Sequence, residues 1–227
     1  MLMEFNPALR LVGGHPALDL VNTVAPRLPA GGDHVEFLPS PADLLAWAHE
    51  IGVVDRAEAA AVEAAWAATP GGGMPAWRAA LDIREALYRA LIAALDDGPD
   101  EPERAAALER LTLHWSAATS RSALLPTTAP GSAARLVVGT APALLVPDRL
   151  AMLAVGLLQT TELGQMRVCP TAEGGCGWLF LDRSRNGSRR WCSMADCGGQ
   201  AKARRLNDRR RTRKATGKSN NNGSHGD

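Results

Sequence analysis

A chain of 227 residues has room for one full domain plus a small module, and its 46% hydrophobic content supports a buried core, which excludes wholesale disorder. Aromatics are only 4% and alanine fills many apolar positions, which favours closely packed helices over a large sandwich of strands. The net charge of +1 conceals a division: residues 165–227 carry 14 Lys or Arg against 5 Asp or Glu, leaving a balance of −8 before them. Such asymmetry is expected of a module that meets a polyanion, joined to an ordinary acidic domain.

In chain order, Leu11 to Thr23 has turn residues inside apolar runs, and predicts a short strand, a turn and another short element. Ser40-Pro41 supplies a cap and a first-turn proline for a helix holding Leu44, Leu45, Trp47 and Ala48, with Gly52 as its stop. Asp55 and Glu58 form a capping-box pair for an alanine-rich helix to about Ala68. Pro70-Gly71-Gly72-Gly73 is a break and not a phosphate loop, since no Lys-Ser or Lys-Thr follows it.

A long helix over about 75–95 aligns Ile83, Leu87, Leu91 and Leu95, and Asp96-Asp97-Gly98-Pro99 ends it. The next helix, about 102–120, is expected to bury Leu108, Leu111 and Trp115. Residues 135–140 suit a strand, and about 147–163 a helix whose apolar side is Leu150, Leu153, Leu157 and Leu158.

No secretory pattern opens the chain. The apolar region 143–158 is interrupted by Pro147, Asp148 and Arg149, so no membrane span is expected there and the localisation reading is cytoplasmic. The domain boundary is expected near Gly164, giving a helical domain over 1–164, a basic module over 165–214 and a disordered tail over 215–227.

Four cysteines cluster as Cys169-x6-Cys176, fifteen residues, then Cys192-x4-Cys197. In a reducing compartment such clustering favours a metal over disulfides, buried lone thiols or a redox pair. Four thiolates suit tetrahedral Zn2+, and a closed shell leaves no position for hydrolysis, so one structural zinc is expected. The fifteen-residue insert reads as a hairpin: Trp178 to Asp182 as one strand, Asn186-Gly187 as the turn, Arg189 to Trp191 as the return. Trp178, Phe180 and Trp191 are its expected small core, and a helix should follow from about Ala201 to Lys214. Knuckle, hairpin and helix make a treble-clef-like finger. The fold class is thus α+β, a mostly helical N-terminal domain followed by that four-cysteine finger.

Basic residues flank the metal. Arg183, Arg185, Arg189 and Arg190 surround the expected turn, and Lys202, Arg205, Arg209 and Arg213 recur on one helical face, broadened by Arg204 and Arg210. A zinc tetrathiolate has a formal charge of −2, which two or three arginines would neutralise. About a dozen exceed that need and suit the phosphates of duplex DNA.

The segment Cys192-Ser193-Met194-Ala195-Asp196-Cys197-Gly198-Gly199-Gln200-Ala201-Lys202, with Phe180 to Ser184 and Arg189-Arg190-Trp191 before it, resembles the CGNR zinc-finger family. Gly13-Gly14-His15-Pro16-Ala17-Leu18-Asp19-Leu20-Val21-Asn22-Thr23 is similar to the start of the ABATE domain found before that finger. The resemblance implies a transcription regulator linked to stress, with the finger on DNA. The name-giving Cys-Gly-Asn-Arg stands here as Cys197-Gly198-Gly199-Gln200, so the ligand is kept and the Asn and Arg are replaced.

Catalytic patterns are absent from the first domain: no nucleophile elbow, dinucleotide fingerprint or carboxylate pair. His15, Asp19 and Asn22 are a candidate ligand pocket, against the plainer reading that they cap turns. His34, His49 and His114 are scattered, and Trp47, Trp66, Trp77 and Trp115 are expected to pack between helices. The resulting expectation is a zinc-dependent DNA-binding regulator, not an enzyme, whose first domain binds a small effector or forms a homodimer. An adaptor for an acidic protein partner and an enzyme delivered to nucleic acid are the alternatives.

Overall fold

The structure, a computed structural model, describes residues 10–27, 34–95 and 101–219, and the side chains of that last segment as far as Arg211. The expected helix stop at Asp96 to Pro99, the side chain of Arg213 and the end of the tail, 220–227, lie outside the described residues.

The first element corrects the strand–turn reading. Residues Pro16–Val21 form a short helix, α1, because His15 serves as its N-cap, its Nδ1 accepting from Ala17 N at 3.1 Å, and Pro16 occupies the first turn. The helix folds back on the preceding chain: Asp19 Oδ1 accepts from Gly13 N at 2.8 Å, and a Cβ at Gly13 would lie 2.7 Å from that of Leu18. Only glycine permits that approach. A small antiparallel pair follows, β1 (Val24–Ala25) with β2 (Val35–Glu36).

α2 (Pro41–Glu50) begins at Ser40 and stops before Gly52, and α3 (Arg56–Ala67) has the reciprocal Asp55–Glu58 capping box. α4 (Met74–Leu95) is the central helix. Its Ile83, Leu87 and Leu91 are wholly buried, and Ala76, Ala80, Ala86 and Ala90 let neighbouring helices come close. Each large apolar side chain buried there stabilises the fold by about 1.5–3 kcal/mol.

α5 (Glu101–Ser120) covers α4 from outside and buries only Ala107, Leu111 and Ala118. Leu108 and Trp115, expected inside, are 39% and 38% exposed. The buried strip runs i, i+4 and i+11 from Ala107, and Leu108, one position on from it, lies about 100° round the helix, while Trp115 sits at the strip's edge. Trp66 and Trp77 do pack, with indole N–H groups on the carbonyls of Ala143 and Leu38, and Trp47 is buried.

β3 (Ala123–Pro126), which the sequence reading missed, pairs antiparallel with β4 (Ala134–Val137). α6 (Leu145–Thr160) then returns to the core and packs on α4 and α5 through Leu150, Ala151, Ala154 and Leu157. The stretch Pro142–Thr160 is long and apolar enough to cross a membrane by length and composition alone, contrary to the expectation from its charged residues. In this fold it is a core helix, and its buried Asp148 is paired with Arg121 at 2.5 Å.

A buried ionic cluster beside α1 escaped the sequence reading entirely. Arg84 makes two 2.8 Å bonds to Glu36 and others to Glu85 and Thr23. Arg27 reaches Glu85 and the carbonyl of Val21 and lies 4.5 Å over the Tyr88 ring. Burial opposes the charge on Glu85, yet the two arginines hold its carboxyl below its usual range.

Candidate metal centre and nucleic-acid interface

The C-terminal module starts with β5 (Met166–Val168), which pairs antiparallel with β6 (Leu179–Leu181). This corrects the expected hairpin: the partner of the Trp178 to Asp182 run is the strand before the cysteines, and 189–191 is not a strand. The pairing places Cys169 to Cys176 in the connecting loop, so the loop itself is the knuckle. Cys169 N donates to Trp178 O, Gly177 N to Cys169 O and Gly175 N to Pro170 O. A Cβ at Gly175 would lie 2.7 Å from Cys169 Sγ, so the loop can close over that sulfur only with glycine there.

The second ligand pair is held differently. Ser193 caps a π-type turn, Met194–Gly198, that carries Cys197 between Cys192 and the start of α7 (Gly199–Ser219). All four Sγ atoms lie within 4.8 Å of one another, with Cys176 to Cys192 at 3.4 Å and Cys192 to Cys197 at 3.7 Å. A zinc tetrathiolate with bonds of about 2.3 Å has sulfurs about 3.8 Å apart. The donor set therefore fits one structural Zn2+, three of its cysteines buried and Cys176 half-buried.

Four thiols at such spacing cannot ionise independently. Hydrogen bonds from Cys176 and Cys192 draw Cys169 down to about 2, the same contacts push Cys176 and Cys192 up, and burial raises Cys197. A divalent cation removes that conflict by displacing the protons, so acid competes with metal loading.

Of the candidate pocket residues, Asn22 holds this module against the helical domain. Asn22, fully buried, donates through Nδ2 to Leu179 O at 2.8 Å and accepts from Leu179 N at 3.0 Å. Leu181 N donates to Gly13 O, the Trp178 indole to Val24 O, and Arg27 N to Cys176 O. Asp19 and His15 shape α1, and burial raises the one and lowers the other, with Arg183 adding to the effect on His15. Trp178, Phe180 and Trp191 are buried as expected, but in one continuous core with the helical domain and not in a small core of their own.

The basic residues divide. Arg189, expected on DNA, is committed inward: its guanidinium donates to the carbonyls of Leu181, Trp191, Val12 and Cys192 and lies 4.4 Å over the Phe180 ring. Arg183 and Arg185 are exposed on the turn that follows β6. Asp182 pins that turn, accepting from Ser184 N, Ser184 Oγ and Arg189 N, bonds that hold its carboxyl below the ordinary range.

Arg190 and Arg205 both meet Glu173 on the knuckle. Along α7, every residue from Lys202 to Arg211 is exposed, and Ala201 is the last buried side chain described. The helix passes the expected end at Lys214 and reaches Ser219, into the segment expected to be disordered, since each added residue extends an existing hydrogen-bond ladder.

No curated protein matches the chain. A family model for the CGNR zinc finger matches residues 165–210. A second model, ABATE, described as "Putative stress-induced transcription regulator", matches residues 14–161. With its longer match over most of the helical part and its four cysteines gathered behind it, the chain belongs to the ABATE family and carries a CGNR zinc finger.

Proposed function

We propose that the chain is a transcription regulator that binds duplex DNA through α7 and the Arg183–Arg185 turn, with zinc holding the root of both. The observation that carries this reading is the character of α7. Between Lys202 and Arg211 it presents Lys202, Arg204, Arg205, Arg209, Arg210 and Arg211 against the single acid Asp208, with no described side chain in the core. A helix of that kind serves no packing need of its own fold, whereas guanidinium groups on a rigid helix suit phosphate oxygens along a groove. Gly199 and Gln200, where the family has Asn and Arg, are both exposed, so this departure alters the surface and not the packing.

The test is duplex binding by zinc-loaded protein across a salt series, with Arg205→Ala/Arg209→Ala beside the wild type. The double variant should keep its zinc, bind more weakly and show a salt slope shallower by about 0.9 for each phosphate it no longer neutralises. Unchanged binding in the variant would remove α7 as the contact surface. Absence of binding by the wild type at low salt would transfer the lead to an acidic protein partner.

A further inference from the structure

The three-residue turn Thr171–Glu173 of the knuckle faces the first half of α7 across a cleft of about 440 Å³. Its walls hold Arg190, from the segment before Cys192, and Arg204 and Arg205 of α7. The Glu173 carboxylate lies between two of these: Oε1 meets Arg190 and Oε2 meets Arg205. The Arg204 guanidinium lies over Gly174, where a Cβ would push it aside, and Gly174 has a left-handed backbone at φ +89°.

Of the module's other acids, Asp208 of α7 also lines the cleft. Asp182 organises a turn through backbone N–H groups, and Asp196 pairs with Arg10. The described side-chain contacts of Glu173 are with the two arginines. Both are more than half exposed, so the ion pairs are weak and exchangeable.

A carboxylate forked by two guanidinium groups offers the same two oxygens and single negative charge as a phosphodiester. We propose that Arg190, Arg204 and Arg205 form a phosphate seat on the DNA-binding face. Glu173 fills the seat in the free protein and swings out when a backbone phosphate enters. This inference rests on the DNA-binding reading above. It adds a built-in competitor that sets how tightly the finger holds DNA.

The experiment compares wild type, Glu173→Gln and Asp196→Asn on one 20-base-pair duplex by fluorescence anisotropy, with zinc content measured in each. Glu173→Gln should keep one zinc per chain and bind about fivefold tighter, the size of one exposed charge pair, whereas Asp196→Asn should gain much less. Glu173→Asp, charged but too short to reach both arginines, should fall between Glu173→Gln and wild type. In an Arg190→Ala/Arg205→Ala background the Glu173→Gln gain should vanish.

Equal affinity of Glu173→Gln and a DNA-binding wild type would overturn the seat and leave the DNA reading standing. A gain that persists without Arg190 and Arg205 would overturn it as a general charge effect. Binding by neither protein at low salt would overturn the DNA reading and the seat together.

Discussion

At the scale of single residues, the junction depends on Asn22. Its amide satisfies both backbone groups of Leu179 from a position with no solvent access. Asn22→Ala should therefore leave two buried backbone groups unpaired, at about 1–3 kcal/mol each, a destabilisation to be read from denaturant unfolding midpoints with zinc present. A change below about 0.5 kcal/mol would mean that water repairs the junction. Arg189 is the converse: its sequence context of neighbouring arginines suggested DNA, and the fold spends its donors on four carbonyls. Nothing local distinguishes it from Arg190, one residue on, whose side chain is exposed.

Among the elements, those with chemistry written at their own ends were legible from the sequence. Ser40 with Pro41, the Asp55–Glu58 box and Gly52 define α2 and α3 without reference to distant residues. The zinc ligands were legible for the same reason, because their spacing is local. The β5–β6 pairing was not: Asn186-Gly187 does make a turn, with Gly187 at φ +57°, but the strand that pairs with β6 lies on the other side of the knuckle. The Arg27, Glu36, Arg84 and Glu85 cluster was equally hidden, the Arg84–Glu36 and Arg27–Glu85 pairs being 48 and 58 residues apart.

The corrected pairing carries its own prediction. Because β6 rests on α1, Cys192→Ser should not melt the finger alone. Zinc contributes on the order of 10 kcal/mol to such a site, comparable with the roughly 5–15 kcal/mol that stabilises a whole domain. The variant, or the chelated wild type, should lose helical circular dichroism from the first domain in the same transition. A helical domain that keeps its unfolding midpoint after zinc is stripped would show the two parts to be independent.

Over the whole molecule, one core runs from α4 through α1 to the strands and cysteines of the module, although the acidic and basic parts of the chain differ in charge. The basic helix leaves that body after Ala201, so its exposed basic residues lie outside the core while its base is fixed within it. The route from zinc to α7 is short: Cys197 lies in the turn that leads directly into it.

The dock on α1 also orders events in time. During synthesis, residues 10–27 emerge long before residues 176–189, which supply the partners of Gly13, Asn22, Val24 and Arg27. Until the cysteines have emerged and taken up zinc, those groups wait unpaired and the nascent helical domain stays incomplete. Metal shortage should then lower the amount of this protein in the cell more than the affinity of the molecules that survive, since incomplete chains are cleared by proteases. Immunoblots of chelator-treated cells with translation of new chains halted or running would test this: newly made chains should be lost first and old chains only as their zinc is stripped, and survival of the new chains would contradict it.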